Sequence, residues 1–372
     1  MSIRRRHRQP LRQSGPPRRA SAGKTAGRTR SGRPLVRLRP QPGRSSPAYR
    51  LGFRWGREDG LKHAAARERV HPKALNRLWA SRLAAGRAME AMSWPRYHAM
   101  MKGYVRGFFH ALRRPAPAWV LVPTDRSFAV VVTAMNEGRT LGAVLAQISR
   151  LPADELIVVV NGSVDASFRR ARSVPGAIVV NEPQPLGHDV GRALGAKLAR
   201  ADTVLFLDGD FAVSAEQLVP FLHGIGSGLD VALNDIGPYL GPFYRQDAVT
   251  GWKQFLNTAL GRPDLRAASL TAVPHAVSRK AIDTLGPQSF MVPPKAQARA
   301  LLSGLAVGTA GSVNVIRANK RRPANRGMNN RMAQLIVGDH IEALHMASAL
   351  AGARLRYDDT IRRRSMAGEV PQ

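Results

Sequence analysis

Between residues 128 and 211, short apolar runs alternate with stretches of helical periodicity. Phe128-Ala-Val-Val-Val-Thr133, Leu156-Ile-Val-Val-Val160, Ala177-Ile-Val-Val-Asn181 and Thr203-Val-Leu-Phe-Leu-Asp208 each have the length and continuous apolar character of a strand buried on both faces. Helical patterns fall between them, near residues 140 to 149 and from Pro185-Leu-Gly187 through Leu198. Strand and helix in alternation specify a parallel sheet with right-handed crossovers. The predicted fold class is therefore α/β, a mostly parallel central sheet flanked by helices.

Upstream the pattern is different. Tyr49-Arg-Leu-Gly-Phe53-Arg-Trp-Gly-Arg-Glu-Asp-Gly60 has apolar and aromatic residues at helix-like intervals, but its glycines argue against a regular helix. A second helical stretch, about Pro72 to Met92, carries Leu75, Leu78, Trp79 and Leu83 on one side. A third, near Tyr97 to Leu112, repeats the Gly-Tyr and Gly-Phe pairs in Gly103-Tyr104 and Gly107-Phe108. These segments predict a small helical region that packs on the main domain or on a partner, set off by the proline-punctuated linker Arg113-Arg-Pro-Ala-Pro-Ala118. The chain thus divides into a tail at 1–48, a helical accessory region at 49–114, a main domain at 115–360 and a C-terminal tail at 361–372.

Charge sharpens the first boundary. The chain of 372 residues carries a formal net charge of +32, yet no Asp or Glu occurs before Glu58 while arginines crowd that segment. A stretch so rich in Arg, Pro, Gly and Ser, with few aliphatic residues, cannot bury enough surface to offset its ordering entropy and is expected to be disordered. Its charge predicts salt-sensitive contact with polyanions. The absence of cysteine excludes disulfides, thiolate metal sites and cysteine nucleophiles. No apolar run is long enough for a transmembrane segment, and Met1-Ser-Ile-Arg-Arg-Arg6 lacks the apolar core of a signal peptide, so a cytoplasmic location is expected.

Chemistry concentrates where the fourth strand ends. Asp208-Gly-Asp210 places two carboxylates just beyond the carboxyl end of a buried strand, where ligands of open α/β sheets bind. Like charges this close raise each other's pKa unless a cation lies between them. A hard divalent ion, Mg2+ or Mn2+, takes oxygen ligands and can bridge such a carboxylate to a diphosphate. The alternative is a solvated turn. No Gly-x-Gly-x-x-Gly follows the first strand and no Gly-Lys-Ser/Thr loop is present, which argues against a dinucleotide-binding Rossmann domain and a phosphate-loop nucleotidase. Gly187, Gly191 and Gly195 recur at intervals of four, which most simply lets a helix sit close on the sheet.

Four strand ends in order resemble the nucleotide-binding half of family 2 glycosyltransferases of the A-type, Rossmann-like fold: Thr133-Ala-Met-Asn136-Glu137, Asn161-Gly-Ser163-Val-Asp165, Pro185-Leu-Gly187 with Gly191-Arg192, and Phe206-Leu-Asp208-Gly-Asp210. The resemblance covers residues 128 to 211 well and the following part loosely. It implies that Ala134, Asn136 and Glu137 line the base and ribose pocket. It puts Asn161, where the family usually has an acid, and Asp165 beside the nucleotide or bracing its turn. Gly187 and Arg192 fall near the diphosphate, Arg192 being otherwise an ordinary exposed helix arginine. Asp208 touches ribose or metal-bound water, and Asp210 is the direct ligand of the divalent ion. The implied donor is a nucleotide-diphosphate sugar and the implied acceptor a carbohydrate or other hydroxyl. The reaction would be metal-assisted transfer, expected to invert the anomeric centre.

The second half lacks the acid that the family places near Pro293-Pro-Lys295. Its substitute is Gly338-Asp339-His340-Ile341-Glu342, read as the opening of a helix that ends near Ala353. Asp339 and Glu342 are the candidate bases and His340, in preference to His345, the candidate third metal ligand; the competing reading makes Asp339 and Glu342 a helix cap. Asp235 and Asp247 are alternative bases. The loop Asp235 to Arg245, with its glycines, prolines and aromatics, suits an acceptor loop or lid, and the basic run Asn319 to Arg331 either closes over the diphosphate or is a solvated charge run. Two rival functions remain: a nucleotidyltransferase, and a catalytically inactive transferase fold that serves as a binding module.

Overall fold

The computed structural model describes residues 46–66, 69–85, 89, 92–318 and 330–357. The tail at 1–45, most of the basic run at 319–329 and the C-terminal stretch from 358 lie outside the described residues.

Among the described residues three helices precede the sheet: α1 (Pro47–Ala66), α2 (Pro72–Ala85) and α3 (Trp94–Ala111). The glycines that argued against a helix in the first are the reason that it forms. A Cβ on Gly52, Gly56 or Gly60 would stand 1.9, 2.0 or 2.5 Å from the carbonyl oxygens of Met100, Tyr104 and Phe108, and Cβ atoms on Gly103 and Gly107 would meet the backbone of Tyr49 and Phe53. Rising numbers on both helices mark a parallel pair whose backbones touch. That close packing outweighs the intrinsic cost of helical glycine, about 1 kcal/mol each.

Around the zipper, polar atoms of the three helices find partners. Asp59 accepts hydrogen bonds from the Tyr104 hydroxyl at 2.8 Å and from Arg82 at 2.6 Å, Trp79 donates to the Tyr97 hydroxyl at 3.0 Å, and Tyr97 donates to the Leu121 carbonyl at 2.7 Å. The Asn76 side chain clasps the chain entering the sheet, accepting from the Val122 amide and donating to the Thr124 carbonyl. Leu75, Trp79, Tyr104 and Phe108 belong to the same apolar core as Val130 and Val132, so the helices are built onto the sheet.

The sheet has seven strands among the described residues: β1 (Phe128–Ala134), β2 (Glu155–Asn161), β3 (Ile178–Glu182), β4 (Thr203–Asp208), β5 (Val231–Asn234), β6 (His275–Ser278) and β7 (Val307–Gly311), in the order β3-β2-β1-β4-β6-β5-β7. Pairs β1–β2, β1–β4, β2–β3 and β5–β7 are parallel, while β6 runs antiparallel to both β4 and β5. The mostly parallel α/β architecture is as expected, with β6 as the reversed strand. Alternate residues of β1 feed opposite cores: Val130 and Val132 point to the side of the N-terminal helices, and Ala129 and Val131 to the other.

Between strands lie α4 (Leu141–Ile148), α5 (Ser167–Arg172), α6 (Val190–Leu198) and α7 (Ala215–Gly226). The second half adds α8 (Ala248–Ala259), α9 (Arg279–Leu285), α10 (Pro293–Leu302), α11 (Val315–Ala318) and α12 (Arg331–Ala351). Gly191 and Gly195 set α6 directly on β1: a Cβ on Gly195 would lie 2.2 Å from Val131 Cγ1, and one on Gly191 3.0 Å from Thr133 Cγ2. Helix α12 opens at Asn330, whose side chain accepts from the Ala333 amide at 3.0 Å. Asp339 and Glu342 are therefore mid-helix residues, and the capping reading of that pair does not hold.

Candidate functional site

The carboxyl ends of β1, β2 and β4 open into a cavity of about 1130 Å³, lined among others by Thr133, Ala134, Glu137, Asn161, Gly187, Arg192, Asp208 and Asp210. Parallel strands leave their carboxyl ends free of the crossover helices, so the side chains there are available to a ligand. Later segments complete the lining: Tyr239 to Gly241, Arg245 to Asp247, Thr250 and Lys253 of α8, and Asn330, Ala333 and Ile336 at the start of α12.

At the strand ends the predicted residues divide into those that face the cavity and those that hold its loops. Ala134 and Glu137 line it, with Glu137 buried and receiving the Thr140 hydroxyl at 3.0 Å. Asn136 adopts a positive φ of 58°, a conformation that asparagine tolerates, and ties the first loop to the second. Its amide donates to the Ser163 hydroxyl, and its side-chain oxygen accepts from the Val164 amide.

Asn161 donates to the Gly187 carbonyl at 2.9 Å and accepts from the Leu186 amide at 2.8 Å, so both ends of its amide latch the following turn. An ionised acid could not make the first of these bonds, so the amide suits a residue that latches this turn. Asp165 accepts from the Gly138 amide and from the Ser167 amide and hydroxyl. These bonds, the Ser167 hydroxyl foremost, hold its pKa below the usual carboxylate value. Of its two predicted roles the geometry matches the brace.

Arg192 is the centre of the site's electrostatics. It is buried rather than exposed, with 2.7 Å to Asp189 and 3.4 Å to Asp208. Burial works against its charge, but Asp189 and Asp208 outweigh burial and hold its pKa above the ordinary value. Asp208 also accepts from the Thr133 hydroxyl at 2.9 Å. The carboxylate is thus held on both flanks, by a hydroxyl donor on one side and a guanidinium on the other. Asp189, at a positive φ of 61°, was not singled out in the sequence; an acid three residues before Arg192 on a predicted helix was the available signal.

Asp208 and Asp210 supply hard oxygen donors of the kind Mg2+ and Mn2+ prefer, and two carboxylates completed by substrate phosphates and water are an ordinary ligand set for such ions. Among the described residues no group of three His, Cys, Asp or Glu could hold an ion on protein ligands alone. The expected third ligand, His340, stands apart from the cavity lining. It is fully buried, its Nδ1 is 2.6 Å from the Ile336 carbonyl, and burial, the largest influence, pushes its pKa down to about 4. The fit is therefore to an ion shared with a bound substrate.

The candidate bases separate as well. Glu342 is exposed and pairs with Lys295 at 2.7 Å, outside the cavity. Asp235 accepts from the Gly237 amide and borders a second cavity. Asp247 lines the main cavity and caps α8 through the Thr250 amide at 2.8 Å. Asp339 sits beside the rim residues His188 and Asp189; burial first, then Asp189 and Glu342, raises its pKa to about 6. A carboxylate raised in the folded state costs stability above its folded pKa, and the cost disappears as pH falls toward the unfolded value near 4. Asp339→Asn is accordingly expected to stabilise the protein at pH 8 by on the order of 1 kcal/mol after solvent screening, with the gain vanishing by pH 4; denaturant midpoints across that range measure it, and a gain that is the same at both ends would refute the assignment.

Lys253 was missed because a lysine in an amphipathic helix carries no motif. It lines the cavity, burial pushes its pKa down to about 8, and Asp247 opposes that shift. The loop expected to act as acceptor platform contributes Tyr239, Leu240 and Arg245 to the lining, with Phe243 and Tyr244 80% and 77% exposed beside them.

A mostly parallel α/β sheet with Asp208 held at the end of β4 and Asp210 two residues on is the arrangement expected of a nucleotide-diphospho-sugar transferase. The family model described as "Glycosyl transferase family 2" matches residues 129–283. Curated relatives include a glucosyl-3-phosphoglycerate synthase of Mycolicibacterium paratuberculosis, 36% identical over 123 residues, which are 29% of this chain and 37% of the relative. A dolichyl-phosphate hexose transferase of Haloferax volcanii is 34% identical over 113 residues, 30% of this chain and 49% of the relative. The chain thus spans less than half the length of these relatives. Among solved structures, glucosyl-3-phosphoglycerate synthase of Mycobacterium tuberculosis in complex with phosphoglyceric acid aligns at 24% identity with a TM-score of 0.46, over 59% of this chain and 80% of the other.

Proposed function

We propose that the chain is a metal-assisted glycosyltransferase that moves a sugar from a nucleotide-diphosphate donor to an acceptor hydroxyl. The observation that carries this reading is the Asp208–Asp210 pair, with Asp208 fixed by Thr133 and Arg192, at the mouth of β4 in a cavity large enough for both substrates. Glucosyl-3-phosphoglycerate synthase, one of the curated relatives, has been solved with Mn2+ and UDP-glucose and with Mg2+ and UDP. A uridine-diphosphate sugar with either ion is therefore the donor to test first.

The nucleoside would lie over Ala134 and Glu137, and the diphosphate would reach Asp208 and Asp210. A divalent ion held there with the phosphates supplies charge neutralisation for the departing diphosphate. The protein's own part is positional. Arg192 and Thr133 hold Asp208 in position, and the ammonium of Lys253 adds positive charge to the same cavity. Asp339 and Asp247 are the carboxylates proposed to take the acceptor proton, Asp339 being ionised above about pH 6.

Asp210→Ala is expected to weaken Mn2+-dependent binding of UDP-glucose at least a hundredfold, measured by calorimetry with and without the ion. Donor binding that ignores both Mn2+ and the substitution refutes the metal-assisted reading. Comparing Asp247→Asn with Asp339→Asn assigns the proton acceptor, since its loss lowers turnover while donor affinity stays.

A further inference from the structure

The parallel pair α1 and α3 presents a cationic face that the reaction does not use. Along α1, Arg50, Arg54 and Arg57 are exposed at steps of one helical turn, with Leu61, 55% exposed, continuing the row. Along α3, Lys102 and Arg106 are exposed in a second row that ends at His110. At 100° per residue the first row is centred roughly 130° to one side of the α1 glycine line, with Arg50 and Arg54 farthest from it, and the second about a quarter turn to the opposite side of the α3 line. In two parallel helices the two rows therefore open to the same side, splayed by roughly 30°. The edge contact of Phe53 with His110 at 5.4 Å, with Tyr49 stacked on Phe53 at 6.4 Å, marks the seam between the rows.

No acid neutralises this face from within the pair. Helix α3 contains none, and Glu58 and Asp59, the acids of α1, turn to Arg82 of α2 at 3.2 and 2.6 Å. Lys102 reaches Glu216 only at 3.7 Å and stays 59% exposed. The glycine contacts make the plate stiff, because its two backbones have no side chains between them on which to slide.

We infer that this plate docks on an anionic lipid surface. A planar array of phosphate headgroups meets both rows at once, and juxtamembrane cations gain from just such a surface. The half-buried aromatic seam and Leu61 suit the headgroup boundary, where aromatic and aliphatic side chains enter beside basic ones. A nucleic-acid duplex, being convex, would satisfy one row at the expense of the other and gives Leu61 no partner. No helix among the described residues is long and apolar enough to cross a membrane, so the contact is peripheral.

The test uses the full chain and vesicles of phosphatidylglycerol and phosphatidylcholine, with pure phosphatidylcholine as control. Co-sedimentation is expected for the anionic vesicles alone, and Arg54→Glu/Arg57→Glu/Arg106→Glu is expected to weaken it at least tenfold with an unchanged thermal melt. Should the reversed variant not fold, Arg54→Gln/Arg57→Gln/Arg106→Gln serves in its place. Because the chain has no cysteine, Leu61→Cys carries a single environment-sensitive dye, whose emission is expected to shift to the blue on the anionic vesicles. Undiminished vesicle binding by the folded variants, a dye unaffected by vesicles, or loss of duplex DNA binding with vesicle binding intact would each overturn the inference.

Discussion

Arg192→Met is expected to destabilise the fold by about 3–5 kcal/mol, the usual consequence of removing one partner from a buried ion pair, and to abolish metal-dependent donor binding. The side chain is about 5% exposed and lies between Asp189, itself 6% exposed, and Asp208. Without the guanidinium Asp189 is left buried and uncompensated. Asp208 loses one of the two groups that hold it at the cavity wall, so a bound ion would meet a carboxylate that is no longer oriented. Restoring the balance with Arg192→Met/Asp189→Asn should recover a large part of the stability but not the donor binding, because Asp208 remains unsupported. Urea unfolding of the four members of the cycle measures the coupling. An Arg192→Met midpoint equal to that of the parent would show that the triad contributes nothing.

The second large effect belongs to the N-terminal helices. In Gly56→Leu the first added atom would lie 2.0 Å from the Tyr104 carbonyl oxygen and 2.9 Å from the Phe108 amide nitrogen. Both obstacles are backbone, so no rotamer change makes room. The helices must separate, exposing Tyr104 and Phe108, for an overpacking cost of about 3 kcal/mol or more. Gly338→Ala is the matched control. It too is a helical glycine, but a Cβ there would meet nothing within 4 Å, and alanine is expected to stabilise by about 0.5–1 kcal/mol. Thermal melts of the two variants should move in opposite directions; a Gly56→Leu protein that melts with the parent would mean that the helices do not touch.

What the sequence made legible follows from how each feature is encoded. The strands β1, β2 and β4 stood out because a strand covered on both faces must be continuously apolar, and Asp208-Gly-Asp210 stood out because charge ends such a run abruptly; β3 has the same apolar pattern but lies at the sheet edge, where its residues are exposed or half-buried rather than covered on both faces. Strand β6 left a weak trace: His275-Ala-Val-Ser278 is four residues long and its reversal depends on neighbours brought together from elsewhere. Helix α1 was obscured because local propensity penalises glycine, while the opposing backbone that rewards it lies in α3. Asp339 and Glu342 looked like a cap because the true cap, Asn330, lies a full two turns upstream. Arg192 and Lys253 show the same limit at the site, since the side chains that determine their charge come from other segments.

The glycine contacts also bear on how the chain reaches this state. Gly52 meets Met100, Gly56 meets Tyr104 and Gly60 meets Phe108, so each contact closes a loop of roughly fifty residues, with an entropic cost that an adjacent antiparallel hairpin avoids. Three glycines leave α1 little helicity of its own before that closure. Helix α1 therefore belongs to the late, cooperative part of folding: although it precedes α3 in the chain, it waits for α3 to provide the groove it fits.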